Sequence, residues 1–164
     1  MVSTPKAASG AAAFHAKSID DHVGTALGST PNKQNKTAMP LRIAITGLGL
    51  VGLRHAKAIS QVGGVTLCAV ADPSAESRNK AAADDVPHFE TIEQLIESSQ
   101  PDGIILATPT TLHAAQARLC VDAGIPVLIE KPLAENLAEG EALVKHAEAA
   151  NVAVMVGHHR RFNP

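Results

Sequence analysis

Three glycines in the run "ITGLGLVGLRHA", Gly47, Gly49 and Gly52, stand in a G-x-G-x-x-G frame. This spacing suits a turn that brings backbone N–H groups up to a negatively charged ligand. Gly47 permits the tight turn, Gly49 leaves no side chain where a diphosphate would lie, and Gly52 lets the next helix approach the preceding strand. Leu48, Leu50 and Val51 fill the places between, and the helix amino end offers its unpaired N–H groups to the phosphate oxygens. Asp72 stands 20 residues beyond Gly52, where a carboxylate can accept both hydroxyls of an adenosine ribose. A purely structural glycine turn is the competing reading, but it leaves the acid unexplained. A carboxylate at this place repels a ribose 2′-phosphate and so favours NAD over NADP. Ser74 and Arg78 lie close by in sequence and keep NADP open.

Three later stretches carry further polar groups. In "ATPTTLH", Thr108 and Pro109 make a rigid turn that can pack against a cofactor, and His113 follows one turn into a helix. An isolated helical histidine is ordinarily structural. In "IEKP", Lys131 is held extended by the ring of Pro132. Its cation could orient a substrate hydroxyl, or stabilise an oxygen that becomes negative as hydride leaves. In "GHHRRFNP", His158 and His159 are adjacent and point differently on most backbones, and no carboxylate or cysteine cluster joins them, so zinc is not expected. Arg160 and Arg161 have no basic surround that would suit a nucleic acid.

These residues must be positioned by regular elements, and the pattern from Leu41 onward supplies them. Apolar runs "LRIAIT", "VTLCAVA", "VPHFE", "DGIILAT", "IPVLIE" and "VAVMVG" read as six strands. Helical spacing separates them, in "LVGLRHAKAISQV", "PSAESRNKAAA", "TIEQLIES", "TTLHAAQARLCVDA" and "LAEGEALVKHAEAA". In the first helix Val51, His55, Ala58, Ile59 and Val62 fall toward one side. Thr91 is placed as a helix cap and Gly124 as a stop signal. Strands with little alternation, separated by helices of this length, call for a parallel sheet with right-handed crossovers. The fold class expected is therefore α/β, a six-stranded, doubly wound parallel sheet of Rossmann type. In such a sheet ligands bind outside the carboxyl ends of the strands, where the three stretches fall.

Residues 1–39 read differently. Ser, Thr, Ala, Gly, Asn and Lys dominate, no apolar period lasts, and "GSTPNKQNKT" has linker composition. A disordered leader is expected over 1–39, a dinucleotide-binding domain over 40–157, and a junction over 158–164. No apolar h-region marks a signal peptide. The 164 residues suffice for one ordinary domain. A formal charge of −2 and aromatics at 2% give neither attraction to a polyanion nor rings for stacking bases. Cys68 and Cys120 sit apart in apolar runs and read as buried free thiols in a reducing, cytoplasmic setting. No stretch approaches the roughly 20 apolar residues of a membrane span.

Together "GLGLVGLRHAKAI", "AVAD", "ATPTTLHAAQA", "LIEKPLA" and "GHHRRFNP" resemble the amino-terminal domain of the Gfo/Idh/MocA family, the glucose–fructose oxidoreductase and inositol dehydrogenase type, across residues 41–164. The glycine loop is shared by many dehydrogenases; "EKP" followed by "GHHRRFNP" is much more specific. The resemblance implies NAD(P)-dependent hydride transfer to or from a hydroxyl-bearing carbon of a sugar, inositol or related polyol. It implies that residues 47–52 hold the pyrophosphate, Asp72 the adenosine ribose, and Thr108, Pro109 and His113 the nicotinamide side. Glu130 and Lys131 match the family's "EKP", in which the lysine contacts substrate hydroxyls and assists proton transfer, and its bond to proline is often cis. Arg161 and Pro164 match the segment crossing toward a second domain. In the family that domain supplies much of the substrate pocket, the usual acid–base histidine and the sheet face for oligomerisation. The resemblance over 41–164 covers the first domain alone, so a longer parent protein is expected, with homo-oligomers only in the complete form. The alternative is a non-catalytic dinucleotide-binding or regulatory module.

Overall fold

The computed structural model describes residues 39–158. The leader, apart from its last residue, and the junction beyond His158, including Arg161, lie outside the described residues. Strand β1 (Leu41–Thr46) leads through α1 (Leu50–Gln61) to β2 (Val65–Ala71), then α2 (Ala75–Ala83) and β3 (His88–Phe89). Helix α3 (Ile92–Ser99) returns the chain to β4 (Gly103–Leu106), followed by α4 (Thr110–Asp122), β5 (Val127–Glu130), α5 (Leu137–Ala150) and β6 (Val154–Gly157). The six strands pair in the order β3-β2-β1-β4-β5-β6, all parallel. The direction of winding reverses between β1 and β4, which opens the crevice where such sheets take their ligands.

Alternation along the strands builds a core on each face. Ala44, Ile104, Leu106 and Ile129 point to the face where Leu95 of α3, Cys120 of α4 and Leu143 of α5 meet them. Ile45 and Val70 point to the other face, against Ile59 of α1 and Ala81 of α2. The register of β1 on β2 skips Cys68, between Ile43 opposite Leu67 and Ala44 opposite Ala69. Both cysteines are free, Cys120 buried and Cys68 half-buried. Burial pushes the Cys120 thiol up to about 12 and raises that of Cys68.

The inward stripe of α1 differs from the one expected by about one residue. Gly52 and Ile59 are buried and His55 and Ala56 half-buried, whereas Val51, Ala58 and Val62 are exposed. The reason lies in the turn before the helix. Gly52 must sit against the carbonyl of Gly47, and this fixes the line of contact at 52, 55–56 and 59, one helical face at spacings of three and four. Thr91 caps α3 as expected, accepting a hydrogen bond from the Gln94 N–H, and Gly124 ends α4 with φ +70°. Among the described residues no helix is long and apolar enough to cross a membrane.

Candidate functional site

The turn from β1 into α1 gives each glycine a separate task. Gly47 has φ +86°, and a Cβ there would lie 2.7 Å from the Ala107 carbonyl oxygen, so the turn rests directly on the end of β4. A Cβ at Gly52 would stand 1.9 Å from the Gly47 oxygen, which is why the helix can start so close to the strand. At Gly49 a Cβ would meet nothing within 4 Å. Packing within the protein therefore demands glycine at 47 and 52 but not at 49, where the space is left for something else. A diphosphate fits it, because the helix start there carries partial positive charge and free donors.

The helix caps point the same way. Ser74, Thr91 and Asn136 cap α2, α3 and α5 by accepting N–H groups of the first turn. Helices α1 and α4 have no side-chain cap. These two open from β1 and β4, the strands on either side of the crevice, so two uncapped helix starts flank it.

Asp72 follows β2 directly. Its Oδ2 accepts the Leu48 N–H at 2.8 Å and its Oδ1 accepts the Ser74 N–H at 2.9 Å. Burial works against ionisation of Asp72. Hydrogen bonds from Ser74 and from the Leu48 amide outweigh it, with His88 adding its charge, and hold the carboxyl below its usual value. Each carboxylate oxygen keeps a further lone pair for a ribose hydroxyl. These groups line a cleft of about 440 Å³ with Gly49, Leu50 and Lys80. The sequence reading set Ser74 near the site only as a residue that keeps NADP open, and did not pair it with Asp72. Its signal is the D-P-S run, in which an aspartate turns back on the backbone two residues on. The cations nearby are engaged, Arg78 with Glu90 at 2.6 Å and Lys80 with Asp84.

Across the crevice, Thr108 donates from Oγ1 to Gln116 Oε1 at 2.7 Å, and Pro109 is exposed at the start of α4. His113 is 1% exposed. Its Nε2 lies 2.9 Å from the Thr108 carbonyl oxygen and its Nδ1 2.8 Å from that of Pro132. The ring thus stands between the turn after β4 and the segment after β5, and it meets the crevice through their backbones. A neutral imidazole carries one N–H, so its tautomer decides which loop receives the hydrogen bond. The Lys131–Pro132 peptide is cis. Lys131 is exposed, and the Glu130 carboxylate before it meets His55 Nε2 of α1 at 2.8 Å. Sequence reading placed His55 on a helix face without a partner. Among the described residues no group of three or more His, Cys, Asp or Glu could hold a metal ion.

Known proteins resemble the chain in sequence and in fold. The family model described as "Oxidoreductase family, NAD-binding Rossmann fold" matches residues 41–158. A 4-carboxy-2-hydroxymuconate-6-semialdehyde dehydrogenase of Sphingobium sp. is 36% identical over 126 residues, covering 76% of this chain and 40% of that protein. Inositol 2-dehydrogenase 4 of Saccharopolyspora erythraea is 38% identical over 128 residues, 76% of this chain and 38% of the relative. Among solved structures, the WlbA dehydrogenase of Bordetella pertussis in complex with NADH and UDP-GlcNAcA superposes with a TM-score of 0.72 at 30% identity, covering 76% of this chain and 36% of that one. The chain thus spans about two fifths of the length of these relatives. The match starts at β1 and runs through β6, taking in the glycine turn, Asp72 and the Glu130–Lys131 pair, and by it the chain belongs to the Gfo/Idh/MocA oxidoreductase family.

Proposed function

We propose that this chain is the cofactor-binding part of an NAD-dependent oxidoreductase acting on a hydroxyl-bearing carbon of a sugar, inositol or related polyol. The observation that carries the reading is the space at Gly49, which no packing requires, beside a helix start without a cap and a carboxylate with lone pairs to offer. Residues 47–52 hold the diphosphate and Asp72 the adenosine ribose. The preference for NAD over NADP rests on the charge of Asp72 and on the engagement of Arg78 by Glu90. Thr108, Pro109, His113 and Glu130 shape the nicotinamide side, and Arg161 belongs to the same expected set. A bound nicotinamide supplies the hydride acceptor or donor. Lys131 orients the substrate oxygen and stabilises negative charge there as the C–H bond breaks. The relatives' names favour the substrate class, since inositol and a sugar nucleotide occur among them. Two free thiols suit a cytoplasmic setting.

Calorimetric titration with NAD and NADP, on the wild type, Gly49→Val and Asp72→Ala, tests the assignment. The wild type is expected to bind NAD more tightly than NADP. Each variant should lose NAD affinity by about tenfold or more, equivalent to about 1.4 kcal/mol, and Asp72→Ala should also narrow the preference. Equal binding by all three proteins would remove the site.

A further inference from the structure

Glu130 ends β5, one residue before Lys131, and its carboxylate is a meeting point. Oε1 lies 2.8 Å from His55 Nε2, with the two side chains only 18% and 23% exposed. A Cβ at position 157 would lie 3.2 Å from the same oxygen and 3.4 Å from the carboxyl carbon, so Gly157, at the end of β6, leaves the room that the carboxylate occupies. Oε2 faces the Lys131 N–H at 3.4 Å. Carboxylates normally remain in solvent, and one this covered needs a partner. His55 provides it from α1, one turn beyond Gly52. The contact needs only an N–H on Nε2, which one neutral tautomer and the imidazolium both carry.

The location gives this contact its meaning. A dinucleotide in such a sheet lies across the crevice between β1 and β4. Asp72, after β2, assigns the adenosine end to one side, which leaves the nicotinamide end to the β4–β5 side, where Lys131 stands. The diphosphate turn belongs to α1, on one face of the sheet. Lys131 follows β5, two strands from β1. The His55–Glu130 hydrogen bond joins the two regions directly.

We propose that His55 and Gly157 are positioning residues that lock Glu130, and through its backbone Lys131, against the diphosphate-binding helix, so that the nicotinamide end of a bound dinucleotide depends on them and the adenosine end does not. The proposal rests on the cofactor reading given above, and its test separates the two. The wild-type chain, His55→Ala, His55→Gln and Gly157→Ala are each titrated with ADP-ribose, which lacks nicotinamide, and with NADH. The chain has no Trp or Tyr, so NADH emission reports the nicotinamide environment without interference.

Affinity for ADP-ribose should stay within about twofold in every variant. The advantage of NADH over ADP-ribose should shrink about threefold or more in His55→Ala and Gly157→Ala, the lower end of the scale of one weakened or lost hydrogen bond, together with the emission change on binding. His55→Gln, whose amide N–H can reach the same oxygen, should recover most of both. Unfolding curves identify any variant that fails to fold, and the two independent variants, one on α1 and one on β6, cover each other. An unchanged NADH advantage in either folded variant would overturn the proposal. So would an equal fall for both ligands, which marks general loosening, or a wild type that binds both ligands alike with no emission change. A wild type that binds no ADP-ribose would overturn the cofactor reading itself, and this inference with it.

Discussion

Gly49 and Gly52 lie three residues apart in one turn, yet alanine should have opposite consequences at the two places. At Gly52 the new Cβ stands 1.9 Å from the Gly47 oxygen and 3.0 Å from its carbonyl carbon. Ordinary contact begins near 3.4 Å, so the helix or the turn must withdraw by about 1.5 Å. Neither is free to do so. The Gly47 N–H is bonded to the Ala71 oxygen at 2.8 Å, and the other side of Gly47 backs onto Ala107. Overpacking against fixed backbone costs about 3 kcal/mol or more here, the upper part of the usual range. At Gly49, φ −71° and ψ −165° suit alanine, and its Cβ meets nothing. Reduced freedom of the unfolded chain favours the alanine by about 0.4–1 kcal/mol. Loss of a glycine at the helix cap opposes it by a similar amount, leaving stability within about 1 kcal/mol of wild type. Binding should respond in the other order, with Gly49→Ala losing about tenfold in NAD affinity. Urea unfolding followed by far-ultraviolet circular dichroism measures the first quantity and NAD calorimetry the second. With a slope of about 1.5 kcal/mol per molar urea, the Gly52→Ala midpoint falls by about 2 M. A Gly52→Ala protein as stable as Gly49→Ala, or a Gly49→Ala protein that binds NAD like the wild type, would refute the division of labour.

Asp72 has a folded-state pKa below its unfolded value. Its contribution to stability is therefore present above the unfolded pKa and disappears as pH falls through the folded one. The stability gap between wild type and Asp72→Asn should be open at pH 6 to 7 and close below about pH 4; a gap that widens on acidification would contradict the hydrogen bonding described. Cys120, buried with its thiol pushed up to about 12, should resist a disulfide-exchange reagent at pH 8 until urea unfolds the chain, while Cys68 reacts slowly. Native labelling of Cys120 at the rate of a small free thiol would be inconsistent with the core. The chain by itself should form no NADH from polyols at a useful rate, because Lys131 is exposed and catalysis needs fixed, water-poor geometry. Steady turnover that disappears in Lys131→Ala would show otherwise.

What could be read from the sequence and what could not differ in the range of the interactions involved. Strands such as Leu41–Thr46 and Val65–Ala71 were legible residue for residue, because covering both faces of a sheet writes a mostly apolar run with little alternation. The glycine frame and Asp72 were legible for a related reason, since turn, helix start and acid are neighbours along the chain and their spacing is their geometry. The stripe of α1 was misplaced because apolar residues alone chose it. The actual line of contact is set by Gly52, a residue with no side chain for a hydrophobic pattern to register. His113 could be recognised as a helical histidine, but not as a ring between two carbonyl groups, since one of these belongs to Pro132 and is backbone. The pairing of His55 with Glu130 was hidden most thoroughly. The two residues are 75 positions apart, on elements that only the strand order brings together, and the space they need is provided by a glycine on a third. A histidine eight residues after the first glycine of the turn shows no partner in one sequence. Once β5 is placed two strands from β1, the carboxylate at its end and the imidazole on α1 have one face of the crevice in common, and the contact follows from topology.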